Sequence, residues 1–409
     1  MLGIMRSTLA GVFCFLVCVV PAWPQQKQPS PPAATTTVSG RVYCADTNAP
    51  ARMATVVLLP AAAIDSITPG EPKNISSRGE AAITLLDGSF ILQHVEPGTY
   101  YVIASQPGYV SPLAPLYIRP PGKSASEGQS ARKTAVTAPR ITVQANLPAV
   151  VNVTIERGAA VNGTIQYDDG SPASGIQVTL LARWKDDWNT IPSDNPVAKS
   201  DYFGQTDDEG HYRLSGLPPG EYLVQAELAL REITYHSDEH GSGVSSGSGS
   251  SLDIYSGGST RPKDAAPFSL TPGEERRGVD IEIPIARLHT VRGNIVAAHD
   301  GHVLNGGSLQ LLYPDDKNIA ANASLTKDSD TFSFSFVPEG DYILTVWGAS
   351  DTEYREIPDG PNSWPPARTE PHVLRGYGHA EQRIHVTGDL SGITIAAPDL
   401  PAPTSQATQ

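Results

Sequence analysis

A pattern of alternating apolar and polar residues occurs three times along this chain. The copies span residues 85–104, 207–226 and 328–346, and each contains a turn, an alternating strand, a Gly turn and a second alternating strand. Alternation with a period of two residues is typical of a half-buried β-strand. A repeat of this size determines the architecture, so the pattern predicts three copies of one β-hairpin, each within a larger β unit.

The alternation assigns six side chains of each hairpin to the buried face. These are Phe90, Leu92, Val95, Tyr100, Val102 and Ala104 in the first copy, Tyr212, Leu214, Leu217, Tyr222, Val224 and Ala226 in the second, and Phe332, Phe334, Val337, Tyr342, Leu344 and Val346 in the third. Full burial of one such side chain contributes roughly 1.5–3 kcal/mol. Together with an apolar pair from a second strand, each set begins to offset the ordering entropy of a domain of this size.

Each unit opens with a strand of the form Val-x-Gly-x-Val/Ile, which starts at Val38, Val161 and Val291. A Gly inside a strand indicates a bulge or a close backbone approach. A further alternating strand closes each unit, and in the first two units it runs directly into the next Val-x-Gly strand. We therefore expect sandwiches that are joined by a few residues and form a semi-rigid rod.

The turns of the repeat carry Gly where a tight bend favours it. Asp-Gly at 87–88 and Glu-Gly at 209–210 suit a hairpin with positive φ. Pro-Gly at 97–98 and 219–220 fits a type II turn in which Gly takes the left-handed position, and the third copy keeps the Gly alone. The Tyr two residues later is expected to pack inward and to bond backbone near the turn, as in a tyrosine corner. The motif residues are Gly98 and Tyr100, Gly220 and Tyr222, and Gly340 and Tyr342.

The first 22 residues have the features of a secretion signal. Arg6 is the single charge before an apolar run over residues 9–20, and Val20 and Ala22 satisfy a small-residue cleavage rule, so we expect cleavage after Ala22. The run is shorter than the roughly 20 residues that span a bilayer, although an uncleaved anchor is the alternative. The sequence therefore predicts a secreted protein, periplasmic or extracellular, with no membrane insertion after signal removal.

The composition supports an all-β chain. It has 409 residues, 37 Gly, 36 Pro and 18% charged residues, which fits several domains of short strands joined by turns. The formal net charge of −14 argues against a nucleic-acid partner and against anionic membrane surfaces. Cys44 is the cysteine left after the signal, so we expect no intrachain disulfide and a small buried side chain at the end of the first strand.

These patterns also predict the domain boundaries. We expect a signal peptide at 1–22, a flexible segment at 23–36, β-sandwiches at 37–157, 158–287 and 288–398, and a disordered tail at 399–409. Residues 241–260, rich in Gly and Ser, and residues 350–378 are predicted to be long loops of the second and third units. No stretch of the sequence has a persuasive helical pattern.

The repeat resembles the carboxypeptidase regulatory-like domain. The shared pattern is D-x-x-G-x-[FY]-x-[LIF]-x-x-[LV]-x-P-G-x-Y-x-[VL]-x-[AV], and residues 206–226 carry every element of it. The resemblance implies three tandem transthyretin-like (prealbumin-like) Greek-key β-sandwiches, an all-β fold of non-catalytic accessory modules. The same fold occurs in carbohydrate-binding modules, so a glycan partner is implied by analogy at the level of the fold.

The sequence offers little support for catalysis. It has no H-E-x-x-H motif, and the three units leave no room for a catalytic domain. His236 and His240 are weak candidates for a metal site, which would suit a metal-dependent hydrolase as the least favoured alternative. They lie beside the Gly/Ser-rich segment, where nothing orients a ligand shell, so we expect a solvated loop, no metal and no cofactor.

Aromatic residues in the predicted loops are the best binding candidates. They are Trp184, Trp188, Trp364 and Tyr377. Flat rings stack on sugar faces and anchor protein interfaces, although the same rings can simply cover the ends of the sandwiches. The sequence thus predicts a non-enzymatic binding or scaffold protein of the cell envelope, with a glycan or another envelope protein as its partner. A structural spacer or protein-interaction module is the alternative.

Overall fold

The described residues form an all-β structure. The structure, a computed structural model, describes residues 35–67, 81–116, 136–184, 187–190, 202–238, 241–325, 329–358 and 367–400. Within these ranges the strands form six sheets, which group into three successive pairs. Each pair encloses apolar side chains between its two sheets, as in a β-sandwich. The expected all-β sandwich class is therefore confirmed.

The first sandwich consists of a four-stranded sheet around its first strand and a second four-stranded sheet. Its strands are β1 (Thr36–Cys44), β2 (Thr55–Pro60), β3 (Ala81–Ile83), β4 (Ser89–Val95), β5 (Gly98–Ser105), β6 (Arg140–Val143), β7 (Ala149–Val150) and β8 (Val153–Ile155). Strand β1 pairs with β4, β7 and β8, and the second sheet has the order β3-β2-β5-β6. A one-turn helix, α1 (Ala61–Asp65), and a 3-10 turn at Ala114–Leu116 complete this unit.

The second sandwich repeats this plan with a larger second sheet. Its strands are β9 (Ala159–Tyr167), β10 (Gln177–Trp184), β11 (Asp187–Thr190), β12 (Phe203–Gln205), β13 (His211–Leu217), β14 (Gly220–Asp238), β15 (Gly241–Tyr255), β16 (Phe268–Leu270), β17 (Glu275–Arg276) and β18 (Ile281–Ile283). Strand β9 pairs with β13, β17 and β18. The other sheet has the order β11-β10-β14-β15, with β12 on β10 and β16 on β14. Single 3-10 turns lie at Pro262–Asp264 and Ile285–Arg287.

The third sandwich has the same two-sheet arrangement. Its strands are β19 (Leu288–Ala297), β20 (Gly306–Leu312), β21 (Ile319–Ser324), β22 (Thr331–Pro338), β23 (Gly340–Pro358), β24 (Ala367–Gly376), β25 (Ala380–Val386) and β26 (Leu390–Ala397). One sheet has the order β22-β19-β26 and the other the order β21-β20-β23-β24, with β25 on β23. In all three sandwiches the closing strand runs parallel to the Val-x-Gly strand.

The repeated hairpin is not a hairpin in the structure. Its first strand (β4, β13 or β22) pairs with the Val-x-Gly strand of one sheet, whereas its second strand (β5, β14 or β23) pairs with a strand of the opposite sheet. The Gly-x-Tyr turn therefore crosses from one sheet to the other. Alternation cannot distinguish these arrangements, because both strands present the same residues to the core in either case.

The predicted buried sets are confirmed. Each of the eighteen side chains is at most 8% exposed, apart from Tyr100, which is half-buried. Cys44 ends β1 and is also buried, as expected. Strand β2 is buried on both faces, because Val57 and Leu59 on its outer face join a single apolar cluster with residues of the second sandwich. The first two sandwiches therefore share a continuous apolar contact.

The Gly of each Val-x-Gly strand lies directly beneath a backbone carbonyl of the closing segment. A Cβ on Gly40, Gly163 or Gly293 would lie 1.6, 2.1 or 2.0 Å from the carbonyl oxygen of Val151, Val279 or Ile393, respectively. No side chain fits at such distances, so the predicted close backbone approach is confirmed. In the second sandwich the Tyr212 hydroxyl also donates to the Val279 carbonyl oxygen at 2.5 Å.

The Gly-x-Tyr turns differ from the type II prediction. Gly98 and Gly220 do not adopt positive φ, so the left-handed assignment is wrong for both. A Cβ on Gly220 would instead lie 3.0 Å from the ring of Tyr222, which folds back over the turn. The positive φ expected at Gly88 and Gly210 is confirmed, at 76° and 79°. Gly is thus needed at 98 and 220 to make room for the ring.

The tyrosine corner itself is present in every sandwich. Each hydroxyl donates to the carbonyl oxygen four residues earlier: Tyr100 to Glu96 at 3.1 Å, Tyr222 to Pro218 at 2.7 Å and Tyr342 to Pro338 at 2.9 Å. The bond ties the hydroxyl to the last turn before the chain crosses between the sheets. Burial raises the pKa of all three hydroxyls, which keeps them protonated donors.

Two segments predicted as loops are strands. Residues 241–255 form β15, which pairs with β14 from Gln225↔Tyr255 to Asp238↔Gly241, and residues 350–358 and 367–376 pair as β23 and β24. Two paired strands satisfy each other's backbone hydrogen bonds whatever their side chains are. A segment rich in Gly and Ser can therefore form a strand although its sequence lacks the apolar alternation that predicts one. The short helix α1 is a second difference, since no helix was expected.

We predict that Gly293→Ala destabilises the third sandwich. The new methyl group would collide with the Ile393 carbonyl and lie 2.7 Å from the Phe332 ring, and overpacking of this kind costs about 1–3 kcal/mol. Chemical denaturation followed by intrinsic fluorescence measures the change. Gly388→Ala in the same sandwich is the control, because nothing lies within 4 Å of the point that its Cβ would occupy. Equal stability of the two variants would contradict the close approach.

We predict that Tyr222→Phe lowers the free energy of unfolding by about 1–3 kcal/mol, because the buried Pro218 carbonyl loses its hydroxyl donor. Tyr100→Phe should cost less, since the Tyr100 hydroxyl bond is longer and more exposed. Denaturant titration of both variants tests the ranking. A larger loss at Tyr100 would refute the assigned role of burial.

Candidate functional site

A cleft lies where the second and third sandwiches meet. Its volume is about 1140 Å³, and it is lined by residues 183, 187–189, 250–253, 255, 260–263, 265 and 267 of the second sandwich and by residues 313, 316 and 318–322 of the third. We call it the junction cleft. Its floor is the outward face of the sheet that contains β10, β14 and β15, and its far wall is the β20–β21 connection with β21. Clefts at domain junctions are common positions for ligand sites.

The floor carries a small apolar cluster on the outward face of this sheet. Leu181, Leu223 and Tyr255 are buried there, and Trp188 packs against them. Leu181 and Leu223 are cross-strand partners, so the alternation that sends their neighbours into the core sends these two outward. Trp188 and Ala265 already cover this cluster, so it serves as the apolar base on which the Trp188 ring rests.

Trp188 is held by the strand pair at one edge of the floor. It lies opposite Arg183 in the β10–β11 register, and the guanidinium carbon of Arg183 is 5.0 Å from the centroid of the Trp188 ring. This is the geometry of a cation–π contact. The ring is therefore oriented by its neighbours, and a stacking ligand would compete with Arg183 for it.

The far wall is joined to the second sandwich by a network of charges. The Arg261 guanidinium lies 4.1 Å from the Tyr313 ring centroid and donates to both carboxylate oxygens of Asp315 at 3.0 and 3.1 Å. Lys263 pairs with Asp315 and lies 3.0 Å from a carboxylate oxygen of Asp316. Hydrogen bonds from Lys263 and Arg261 hold the pKa of Asp315 well below its ordinary value.

Polar groups surround the apolar floor. Side-chain amides and hydroxyls reach the cleft from both sandwiches: Asn189, Ser250, Ser251, Thr260, Asn318 and Asn322. Asp253 also lines the cleft, and burial raises the pKa of its carboxyl, with the nearby Glu227 adding to the effect. The lining offers three aromatic rings, several hydrogen-bond donors and acceptors, and the carboxyl groups of Asp187, Asp253 and Asp316, which suits recognition of a polar ligand.

The predicted aromatic residues do not form one site. Trp188 lines the junction cleft. Trp184 ends β10, but its side chain lies outside the described part of the structure, and Trp364 lies outside the described residues altogether. Tyr377 is 4% exposed within the third sandwich and does not line the junction cleft, so its part in binding stays a prediction. Its ring packs among His299, His302 and the Arg375 guanidinium.

Several residues of the cleft are not predicted by local sequence patterns. Arg183, Arg261 and Tyr313 come from separate segments and meet only through the packing of two sandwiches. The pairing of Arg183 with Trp188 could be predicted from their spacing, because two residues that flank a short turn become cross-strand partners. No local pattern connects Arg261 with Asp315.

A second polar group lies in the third sandwich around Tyr377. Its hydroxyl donates to Asp351 at 2.8 Å, and the other carboxylate oxygen of Asp351 lies 3.1 Å from His302 Nε2. His299, Asp300 and His302 each place one ligand atom within 4.8 Å of the others. Among the described residues, this is the group whose spacing would allow it to hold a metal ion. Hydrogen bonds with two carboxylates raise the pKa of His302, and Asp300 has a larger effect than Asp351.

The metal candidates named from the sequence are not this group. His236 lies in β14, its side chain is outside the described set, and His240 falls outside the described residues. Within the described residues, no helix has both the length and the hydropathy to cross a bilayer.

Comparisons with known proteins identify no family. No protein-family model and no curated protein matches the chain. A streptococcal ancillary pilin is 13% identical, with 90% of this chain and 99% of the pilin covered and a TM-score of 0.29. The major pilin subunit of Bacillus cereus is 10% identical, with 89% and 99% covered and a TM-score of 0.19.

The Bacillus anthracis TIE protein is 11% identical over 90% of this chain, with a TM-score of 0.19, and the chain spans about half (51%) of its length. TM-scores this low carry no argument about function. The resemblance to the carboxypeptidase regulatory-like domain stays a prediction.

We predict that the charge network at the cleft contributes acid-sensitive stability. The pKa of Asp315 is lowered in the folded state from an ordinary value of 3.8, so its contribution is complete above that value and is lost as the pH falls below it. Asp315→Asn should therefore lose stability at neutral pH and show a shallower decline on acidification. Thermal melting at a series of pH values, with the exposed Asp208→Asn as control, measures this. Identical pH profiles for Asp315→Asn and the unaltered protein would contradict it.

Proposed function

We propose that this chain is an exported, non-enzymatic binding and scaffold protein of the cell envelope. Its domains are three β-sandwiches at 37–157, 158–287 and 288–398, and its ligand occupies the junction cleft. The observation that carries the proposal is the oriented Trp188 ring on an apolar floor, surrounded by hydrogen-bonding groups at the meeting of two sandwiches. The sequence lacks a known catalytic motif such as H-E-x-x-H, which agrees with a non-enzymatic role but is not the basis of the proposal.

The chemistry of the cleft favours a glycan as the ligand. A sugar ring presents an apolar C–H face to an aromatic side chain and hydroxyl groups to amides and carboxylates. The cleft supplies Trp188 for the first contact, and Asn189, Asn318 and Asn322 with Asp253 for the second. Its volume of about 1140 Å³ exceeds that of many single-ligand pockets, so a short oligosaccharide fits better than a monosaccharide.

A protein partner is the second candidate, and a different observation favours it. Strands β11 and β21 both line the cleft, and each is the terminal strand of its sheet among the described residues. The outer edge of a terminal strand offers backbone N–H and C=O groups to an extended segment of another protein. Such a segment would add a strand beside Asp187–Thr190 or Ile319–Ser324.

We predict that Trp188→Ala weakens glycan binding by roughly tenfold, which corresponds to about 1.4 kcal/mol. The loss follows from removal of the ring on which the sugar would stack, at the β11 edge of the floor. Binding to a panel of envelope oligosaccharides, measured by calorimetry, gives the dissociation constants. Trp347→Ala is the matched control, because Trp347 is 53% exposed on β23 and does not line the junction cleft.

The panel distinguishes the candidates. Equal binding by both tryptophan variants would exclude the cleft as the glycan site. If no oligosaccharide binds and chemical cross-linking joins β11 or β21 to an envelope protein, the second candidate replaces the first. If neither experiment gives a ligand, the binding proposal fails and a structural spacer is left.

A further inference from the structure

Two histidines at the end of β19 share one carboxylate. His302 Nδ1 lies 2.6 Å from one oxygen of Asp300, and His299 Nε2 lies 3.1 Å from its other oxygen. The two imidazole rings are 5.8 Å apart and meet edge to face, with an interplanar angle of 77°. One nitrogen of each ring and one Asp300 carboxylate oxygen thus form a compact group, with all three ligand atoms within 4.8 Å of one another.

The remaining nitrogen of each ring faces a different carboxylate. His302 Nε2 lies 3.1 Å from Asp351, and His299 Nδ1 lies 3.3 Å from Asp399. These carboxylates are themselves held in place. The Tyr377 hydroxyl donates to Asp351 at 2.8 Å, and the Arg375 guanidinium donates to Asp399, also at 2.8 Å.

The fold fixes this group without help from a ligand. The Gly301 N–H donates to the Ala297 carbonyl, and Gly301 takes a positive φ of 78°, which closes the turn that carries both histidines. The buried ring of Tyr377 lies nearly parallel to the ring of His299, with an interplanar angle of 12°. The turn, β23 and the segment after β26 thus each supply one part of a preorganised group.

We propose that His299, Asp300 and His302 bind a divalent transition-metal ion. Two imidazole nitrogens and one carboxylate are a ligand set that suits Zn²⁺, Ni²⁺ or Cu²⁺, whereas Ca²⁺ and Mg²⁺ favour oxygen ligands alone. A histidine that binds a metal through one nitrogen characteristically donates the N–H of the other to a carboxylate. His302 satisfies this condition with Asp351 as the acceptor, and His299 Nδ1 lies 3.3 Å from a carboxylate oxygen of Asp399.

The site leaves coordination positions open to solvent. His299 and His302 have side chains that are 33% and 38% exposed, so an ion can reach them without opening the fold. Three ligands from a four-residue turn hold the ion, and water completes its coordination. The site lies in the third sandwich, and none of its residues lines the junction cleft, so the proposal is independent of the proposed function.

Metal titration of the complete, untagged protein tests the site. After removal of bound metal with a chelator, we expect one Co²⁺ per chain to bind with visible absorption bands, and Zn²⁺ to displace it. His299→Ala and His302→Ala should each weaken binding by at least roughly a hundredfold. Asp351→Asn, which removes an outer carboxylate, should weaken it by about 10–100-fold. Far-ultraviolet circular dichroism confirms that each variant is folded.

Two controls locate the ion. His385→Ala removes an exposed histidine that pairs with Asp341 at 2.8 Å on the same sandwich, and it should leave the affinity unchanged. A double variant with His236→Ala and His240→Ala should also bind normally. If the folded protein takes up no Co²⁺ or Zn²⁺, or if binding survives loss of both His299 and His302, the proposal is overturned. Loss of binding in the His236/His240 variant would place the ion elsewhere and overturn it as well.

Discussion

The contact between a glycine and a backbone carbonyl in the first strand of each sandwich governs the arrangement of the whole chain. In every unit the closing segment passes so near to the Val-x-Gly strand that its carbonyl oxygen lies where a Cβ would be. Because Gly has no Cβ, the closing segment can approach closely enough for its strand to pair in parallel with the opening strand. Since the closing strand leads directly into the next opening strand, the same contact determines where each sandwich ends and the next begins.

The two junctions that result differ in chemistry. Between the first and second sandwiches, Val57, Leu59 and Ile103 on the outer face of one sheet join the apolar cluster of the following unit. Between the second and third, Leu288 and Phe336 pack against the same apolar cluster, and the Ser335 N–H donates to Ser250 Oγ at 3.3 Å. Arg261 also pairs with Asp315 and Asp316 there, beside the junction cleft. Both junctions therefore bury apolar side chains, which favours association of the sandwiches, and the second adds ion pairs beside a concave surface that a ligand can enter.

Much of the fold is predictable because alternation reports burial directly. The inward-facing residues, the opening and closing strands, the close approach at Gly163 and the tyrosine corner at Tyr222 all follow from local patterns. Alternation does not report which strand lies beside which. For that reason the pattern predicts a hairpin at the Gly-x-Tyr turn, where the chain in fact crosses between sheets, and a loop where β15 pairs with β14.

The candidate site is less predictable for a related physical reason. Trp188 can be identified because an aromatic residue in a polar segment is visible in the sequence. Arg261, Tyr313 and Asp315 cannot, because their proximity depends on how two sandwiches pack. Tyr377 has the same sequence signal as Trp188, yet the chain buries it beside two histidines of the third sandwich. Residue type therefore indicates binding chemistry, while tertiary packing decides which residues share a site.

Hydrogen–deuterium exchange measured with and without envelope glycans tests the central claim most directly, since it reports on every segment at once. If the ligand occupies the cleft between the second and third sandwiches, backbone amides in 187–190, 250–255 and 318–322 exchange more slowly when glycan is present, and amides of the first sandwich are unaffected. Protection confined to the first sandwich, to the outer part of the β14–β15 ribbon (231–238 and 241–248) or to the β23–β24 ribbon would contradict the account.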